Sequence, residues 1–133
     1  MLRIATENDL SFLIKARNDS ESSVRTQARS GQLRSIVTDG HPVGFFKFLI
    51  LWDKQPYIEM IWIEASSQRR GLGTNAVREW EQEMASKGFD VTLTSTQLQG
   101  GAEPFWRKLG YSRCGSLSVG DTLQEQFLQH RLA

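Results

Sequence analysis

The stretch from Ile61 to Thr74 constrains this chain more than any other. Ile61-Trp62-Ile63 reads as the end of a strand, and Gln68-Arg69-Arg70-Gly71-Leu72-Gly73-Thr74 as a basic, glycine-bearing turn opening straight into an amphipathic helix. A helix start leaves about four backbone N–H groups without intrahelical partners and carries partial positive charge. Gly71 and Gly73 bring no side chain, so a ligand can approach the backbone and a left-handed residue costs little. Arg69 and Arg70 add formal charge beside those amides. Such a turn suits a phosphate or diphosphate. The plainer alternative is a tight strand-to-helix connection flanked by two solvated arginines.

A rival shares the same residues. Gly71-Leu72-Gly73-Thr74-Asn75-Ala76 satisfies the dinucleotide fingerprint, with Asp90 at about the right distance downstream. That acid should close the following strand, whereas Asp90 precedes Val91-Thr92-Leu93-Thr94. The fingerprint also belongs to a leading βαβ unit, and here hairpin-linked strands come first. The dinucleotide reading stands second.

The 133 residues are expected to form a single domain, 1–133, long enough to bury one core. With 39% hydrophobic and 23% charged residues the composition is that of a globular chain. Sixteen basic and 15 acidic residues leave a net charge of +1, which argues against a nucleic-acid partner held by bulk charge. Cys114 is the only cysteine, so neither an intrachain disulfide nor a zinc-type cysteine pair is available, and no metal site is expected. The N-terminal residues lack the apolar core of a signal peptide. The greasiest run, Phe45 to Trp52, is broken by Lys47 and falls far short of the ~20 residues that span a bilayer. A soluble, cytoplasmic protein without a membrane partner is the expectation.

Taken in order, Leu2 to Ala5 is a short strand, and Thr6-Glu7-Asn8-Asp9 caps a helix through Asn18. Ser20 to Gln32 is a polar second helix with Val24 and Ala28 as its apolar stripe, ended by Gly31. Ser35 to Thr38, Pro42 to Leu51 and Tyr57 to Ile63 are three strands joined by short turns, hence an antiparallel meander. Leu72, Ala76, Val77, Trp80 and Met84 share one face of the helix that follows, which Lys87-Gly88 stops. Asp90 to Thr96 then lies parallel to Tyr57–Ile63 through a right-handed crossover. A short helix through Phe105, Trp106 and Leu109 and a final hairpin, Tyr111 to Val119 with Gln124 to Leu132, complete the chain. The order β-α-α-β-β-β-α-β-α-β-β is an α+β arrangement around a mixed sheet.

At this point the chain resembles the GCN5-related N-acetyltransferases, the GNAT superfamily. Gln68-Arg69-Arg70-Gly71-Leu72-Gly73 is similar to that family's Q/R-x-x-G-x-G/A signature for acetyl-CoA. Ala102-Glu103-Pro104-Phe105-Trp106-Arg107-Lys108-Leu109-Gly110-Tyr111 is similar to its A-x-x-φ-Y-x-K-φ-G-F/Y segment. The resemblance covers essentially the whole chain. It implies a mostly antiparallel sheet of about seven strands with one splayed parallel pair, flanked by about four helices. It implies that Gln68, Arg69, Arg70, Gly71, Leu72, Gly73 and Thr74 hold the coenzyme diphosphate, and that backbone groups of Ile61, Trp62 and Ile63 pair with the pantetheine arm. An amine then attacks the thioester directly, next to Ser95 and Thr96. A homodimer through the C-terminal strands is common among members. Two departures stand out: Trp106 replaces the usual tyrosine acid after Phe105, and Gln99 stands for an asparagine near the coenzyme arm. Indole N–H donates a hydrogen bond but is no usable acid. Water, Ser95, Thr96 or Tyr111 would have to protonate the departing thiolate.

An alkylammonium of pKa ~10.4 gives up its proton at pH 7 only at a cost of roughly 4.6 kcal/mol. Glu59 is the candidate base, placed by strand alternation on the same face as Ile61 and Ile63; its plainer role is an ion pair with Lys47 or Arg34. A β-bulge would turn it to the other face. His41 and His130 read as surface residues, Glu103 as a first-turn helix acid and Cys114 as a small buried side chain. Trp52, Trp62 and Trp80 read as core or rim packing, and Trp106 as a residue of the cleft. The catalytic candidates are thus Glu59, Ser95 and Tyr111. The expected activity is acetyl-CoA-dependent N-acetylation of a small polar or amino-acid-like amine. The alternatives are acetylation of a protein or peptide, or a catalytically silent acyl-CoA-binding module.

Overall fold

The computed structural model describes residues 1–132; Ala133, the last residue of the domain expected from the sequence, lies outside the described residues. Three consecutive apolar strands build the centre of the sheet: β2 (Leu33–Thr38), β3 (His41–Leu51) and β4 (Gln55–Ile63). They pair antiparallel. The β2–β3 turn carries Asp39 and Gly40 at φ 52° and 80°, the left-handed pair that matches the twist of flanking strands. β1 (Leu2–Ile4) pairs with β2 at one edge. After β4 the chain enters a 15-residue helix, which returns it to β5 (Val91–Gln97) parallel to β4. β7 (Leu123–Arg131) lies against β5, and β6 (Ser112–Val119) forms the far edge, exposed along its whole length. The sheet order is β1-β2-β3-β4-β5-β7-β6, mostly antiparallel with one parallel pair. This is the α+β topology that the element order predicts.

Helices cover both faces. On one lie α3 (Leu72–Ser86) and α4 (Glu103–Lys108), where Val77, Trp80, Met84 and Trp106 pack on Ile36, Phe46, Phe48 and Ile58. Trp80 is fully buried, with Phe46 and Phe48 ring centroids each 5.5 Å away. On the other lie α1 (Leu10–Arg17) and α2 (Glu21–Arg29), whose Leu10, Leu13 and Val24 enclose Leu33 and Phe45. The principal sheet contacts of α1 and α2 are with β3 and β2. Beyond them, the same face of β5, β7 and β6 carries half-buried or exposed Ser95, Glu125 and Leu117.

Three expectations from the sequence shift. α2 ends at Arg29 rather than Gln32, because Gly31 takes φ 78° and breaks the helix. Trp52 is 78% exposed in the β3–β4 turn rather than packed, and Cys114 is exposed on the edge strand rather than buried. Among the described residues no helix is long and apolar enough to cross a membrane.

One ion pair ties α3 to β2. Arg34, nearly buried, donates from both Nη atoms to Glu83 at 2.9 Å, and Lys87 adds a third contact. These hydrogen bonds, that from Arg34 foremost, pull the Glu83 carboxyl down to about 2 from the usual 4.5. A depressed folded-state pKa contributes stability that is complete above the unfolded value and fades as pH falls. The stability difference between wild type and Glu83→Gln is therefore expected to shrink steadily as pH drops from 4.5 towards 2. Urea unfolding midpoints across that range test it, and a constant difference would refute the coupling.

Candidate active site

β4 and β5 pair over only two residue pairs, Tyr57↔Leu93 and Ile58↔Thr94, and then diverge. A bulge in β4 accompanies the break. Lys47 faces Met60 and Phe48 faces Ile58, which leaves Glu59 as the extra residue. Side-chain alternation is reset there, so Ile58, Ile61 and Ile63 all pack towards α3. Backbone direction follows. The Glu64 amide donates to the Val43 carbonyl at 2.9 Å, and the Trp62 carbonyl lies against Gly44, where an added Cβ would collide with it. The alternating groups of Ile61 and Ile63 must then face away from β3, into the gap. The Ile63 carbonyl is met there by the Gln68 side-chain amide at 2.8 Å. Trp62, expected to share this task, instead turns its backbone to β3 and its ring to Phe45 and Phe12, at 5.8 and 6.2 Å.

The gap opens as a cavity of about 560 Å³. Glu59, Ile61, Ile63, Gln68, Gly73, Ser95, Phe105 and Trp106 line it, half of the residues expected at the site. Phe105 lies beside Gly73 at one end, where a Cβ would touch its ring at 3.5 Å. At that end α3 begins without a side-chain cap. Gly71 is at φ 77° and the first intrahelical bond runs from the Asn75 amide to the Gly71 carbonyl at 3.0 Å. The amides ahead of Asn75 therefore have no acceptor within the helix. Arg69, itself left-handed at φ 64°, and Arg70 are exposed beside them, without an ion pair among the described residues. Thr74 is exposed on the first turn, and Leu72 is half-buried against the core.

Glu59 lies on the face opposite to the expected one. Its Oε2 is 2.9 Å from Lys47 Nζ, and Lys47 sits between Phe46 and Phe48, whose rings point to α3. The carboxylate thus reaches the cavity from the α1/α2 side of the sheet. The same face carries a relay absent from the sequence reading. Ser95 Oγ donates to Glu125 Oε1 at 2.8 Å, and its only hydrogen is thereby committed, so Tyr57 Oη, 2.7 Å away, donates to Ser95. Burial foremost, with Glu125 and Glu59 nearby, raises the Tyr57 phenol above its ordinary value. Tyr57 shares odd parity with Glu59 and is visible as such in the sequence. Glu125 is not, because it reaches Ser95 from a hairpin of seven residue pairs that follows β5.

Tyr111 is withdrawn as an acid. It is 2% exposed in the core, lies outside the cavity wall, and donates to buried Glu81 at 2.8 Å beside Thr92. Burial above all pushes its phenol far up, where it does not release a proton. Thr96 points into the same core as Thr92 and Thr94. Gln99 lines a separate cavity of about 320 Å³ with Asp121 and Gln124, whereas Gln97 borders both cavities and is the better placed amide. His41 is exposed and His130 contacts the Gly110 carbonyl at 3.2 Å, both outside the cavity wall.

Comparison with known proteins agrees with this fold. The chain is similar to Ard1 from Thermoplasma volcanium, with a TM-score of 0.84 at 12% identity, covering 100% of this chain and 97% of that one. It is similar to a ribosomal-protein-alanine N-acetyltransferase from Brucella melitensis, with a TM-score of 0.81 at 18% identity and 99% of each chain covered. It is similar too to an aminoglycoside 6'-N-acetyltransferase solved with coenzyme A, with a TM-score of 0.78 at 17% identity, covering 98% and 96%. These likenesses establish the shared fold. No curated protein sequence gives a significant match. The sequence profile of the Acetyltransferase (GNAT) family matches residues 4–111, and the chain belongs to that family of acetyltransferases.

Proposed function

We propose that the chain transfers acetyl from acetyl-CoA directly to the amine of a small polar acceptor. The observation that carries this reading is the splayed strand pair. It turns the backbone of Ile61 and Ile63 into the gap, with the Ile63 carbonyl held by the Gln68 amide, and offers at one end an uncapped helix start flanked by Arg69 and Arg70. The residues present fit the coenzyme: amides before Asn75 and the two arginines for the diphosphate, the β4 edge for the amide-bearing arm, and Phe105 and Trp106 as apolar wall. A structural relative bound to coenzyme A and family membership support it. When bound, acetyl-CoA supplies a thioester that an amine attacks without an acyl-enzyme.

Glu59 then takes the proton of the acceptor ammonium, directly or through one water, from the face opposite to α3, which frees the amine to attack. Lys47 holds that carboxylate in place. Trp106, 6% exposed in the cavity wall, excludes water but supplies no proton, so the departing thiolate takes its proton from solvent at the open mouth. Ser95 has its hydrogen committed to Glu125 and serves as a link rather than an acid. A cavity of about 560 Å³ is within the range of small-molecule sites, which supports a small acceptor.

Calorimetric titration tests the coenzyme assignment. Acetyl-CoA is expected to bind with a Kd on the order of micromolar, near −8 kcal/mol, and NAD not at all. NAD binding without acetyl-CoA binding would overturn the reading. Thioester turnover with an amine panel then separates an enzyme from a silent binding module.

A further inference from the structure

We propose that Glu125 is the specificity-determining residue for the acceptor, and that the acceptor is a diamine or polyamine whose second ammonium docks on it. The proposal rests on the transferase reading above and narrows its acceptor. Glu59 and Glu125 are the two ionisable side chains in the cavity wall; the wall contains no lysine, arginine or histidine. Their situations differ. Glu59 is neutralised by Lys47 at 2.9 Å. Glu125 has no cationic partner among the described residues, and only the Ser95 hydroxyl satisfies it.

A half-buried carboxylate aimed at a cavity and short of a cation is an acceptor-only group awaiting a donor. The Tyr57–Ser95 relay fixes its direction, because every hydrogen in the chain points towards Glu125 and none away from it. Ile58, Met60 and Ile61 in the cavity wall give apolar surface suited to an aliphatic spacer. Glu59 on β4 and Glu125 on β7 are separated by β5 alone, and because β4 and β5 diverge before Glu59 their backbones lie further apart than two strand spacings, roughly 10 Å. A zwitterionic amino acid fits poorly, because its carboxylate would face two glutamates with Lys47 already engaged. Arg17, the remaining cation nearby, is stacked over Phe45 at 5.2 Å, bonded to Gln27, and absent from the wall.

The experiment compares three probes of matched length: putrescine, butylamine and γ-aminobutyrate. The readout is the ratio of kcat/KM values, which is insensitive to the fraction of folded enzyme. Wild type is expected to favour putrescine over butylamine by about tenfold or more, after the statistical factor for its two amines, the scale of one charge-assisted hydrogen bond. Glu125→Gln should collapse that ratio towards unity, chiefly through KM. A wild-type ratio near unity, a preference for γ-aminobutyrate, or a Glu125→Gln ratio equal to wild type overturns the proposal while leaving the transferase intact. Acetyl-CoA binding without turnover of any amine overturns both.

Discussion

Reversing the two arginines at the start of α3, with Arg69→Glu and Arg70→Glu together, is expected to weaken acetyl-CoA binding at least ~100-fold. Under the proposed function each guanidinium would make a charge-assisted contact with phosphate, of a kind worth roughly 1.5–3 kcal/mol, and reversal adds repulsion to the loss. The helix start would keep its open amides, since the backbone there is set by Gly71 at φ 77° rather than by the arginine side chains. Both side chains are exposed and free of ion pairs among the described residues, so the unfolding midpoint should hold. Wild-type affinity should also fall with added salt, and the variant's much less. Titration at two ionic strengths measures both effects. Binding within a few-fold of wild type would mean that the diphosphate lies elsewhere.

Glu59→Gln carries the second large effect. General-base catalysis contributes about a hundredfold or more, so kcat should drop by roughly that factor near neutral pH. The Kd for acetyl-CoA should not change, because the carboxylate stands on the α1/α2 face while Ile61 and Ile63 serve the gap by their backbone. The deficit should narrow as pH rises towards ~10, where the amine is free without help from a base. A variant with wild-type kcat throughout that range would shift the base to Glu125 or to solvent.

The sequence made the architecture legible because its signals were local. Strand periodicity, the Asp39-Gly40 turn, the Lys87-Gly88 stop and the Gln68–Gly73 turn each act within a few residues, and the antiparallel meander and the parallel crossover follow from their succession. What escaped depends on register. The bulge at Glu59 is written in how Lys47 and Phe48 meet β4, and no single strand shows it. It turned Glu59 to the opposite face and took Trp62 out of the coenzyme edge. Tyr111 looked chemically able from its position in a motif, but Thr92 and Glu81, 19 and 30 residues away, absorb its hydroxyl in the core. Glu125 meets Ser95 only because β7 inserts between β5 and β6.

The bulge in β4 also divides labour within one strand. Under the proposed function the strand meets the donor through main chain turned into the gap, which substitution leaves chemically unchanged. On its α1/α2 face it then meets the acceptor through side chains, which substitution rewrites. The two partners therefore fall under separate hereditary control, although they react within one gap. New acceptors can be acquired by changing Tyr57, Glu59 or the face of β5 and β7, while the grip on the common acyl donor is inherited intact.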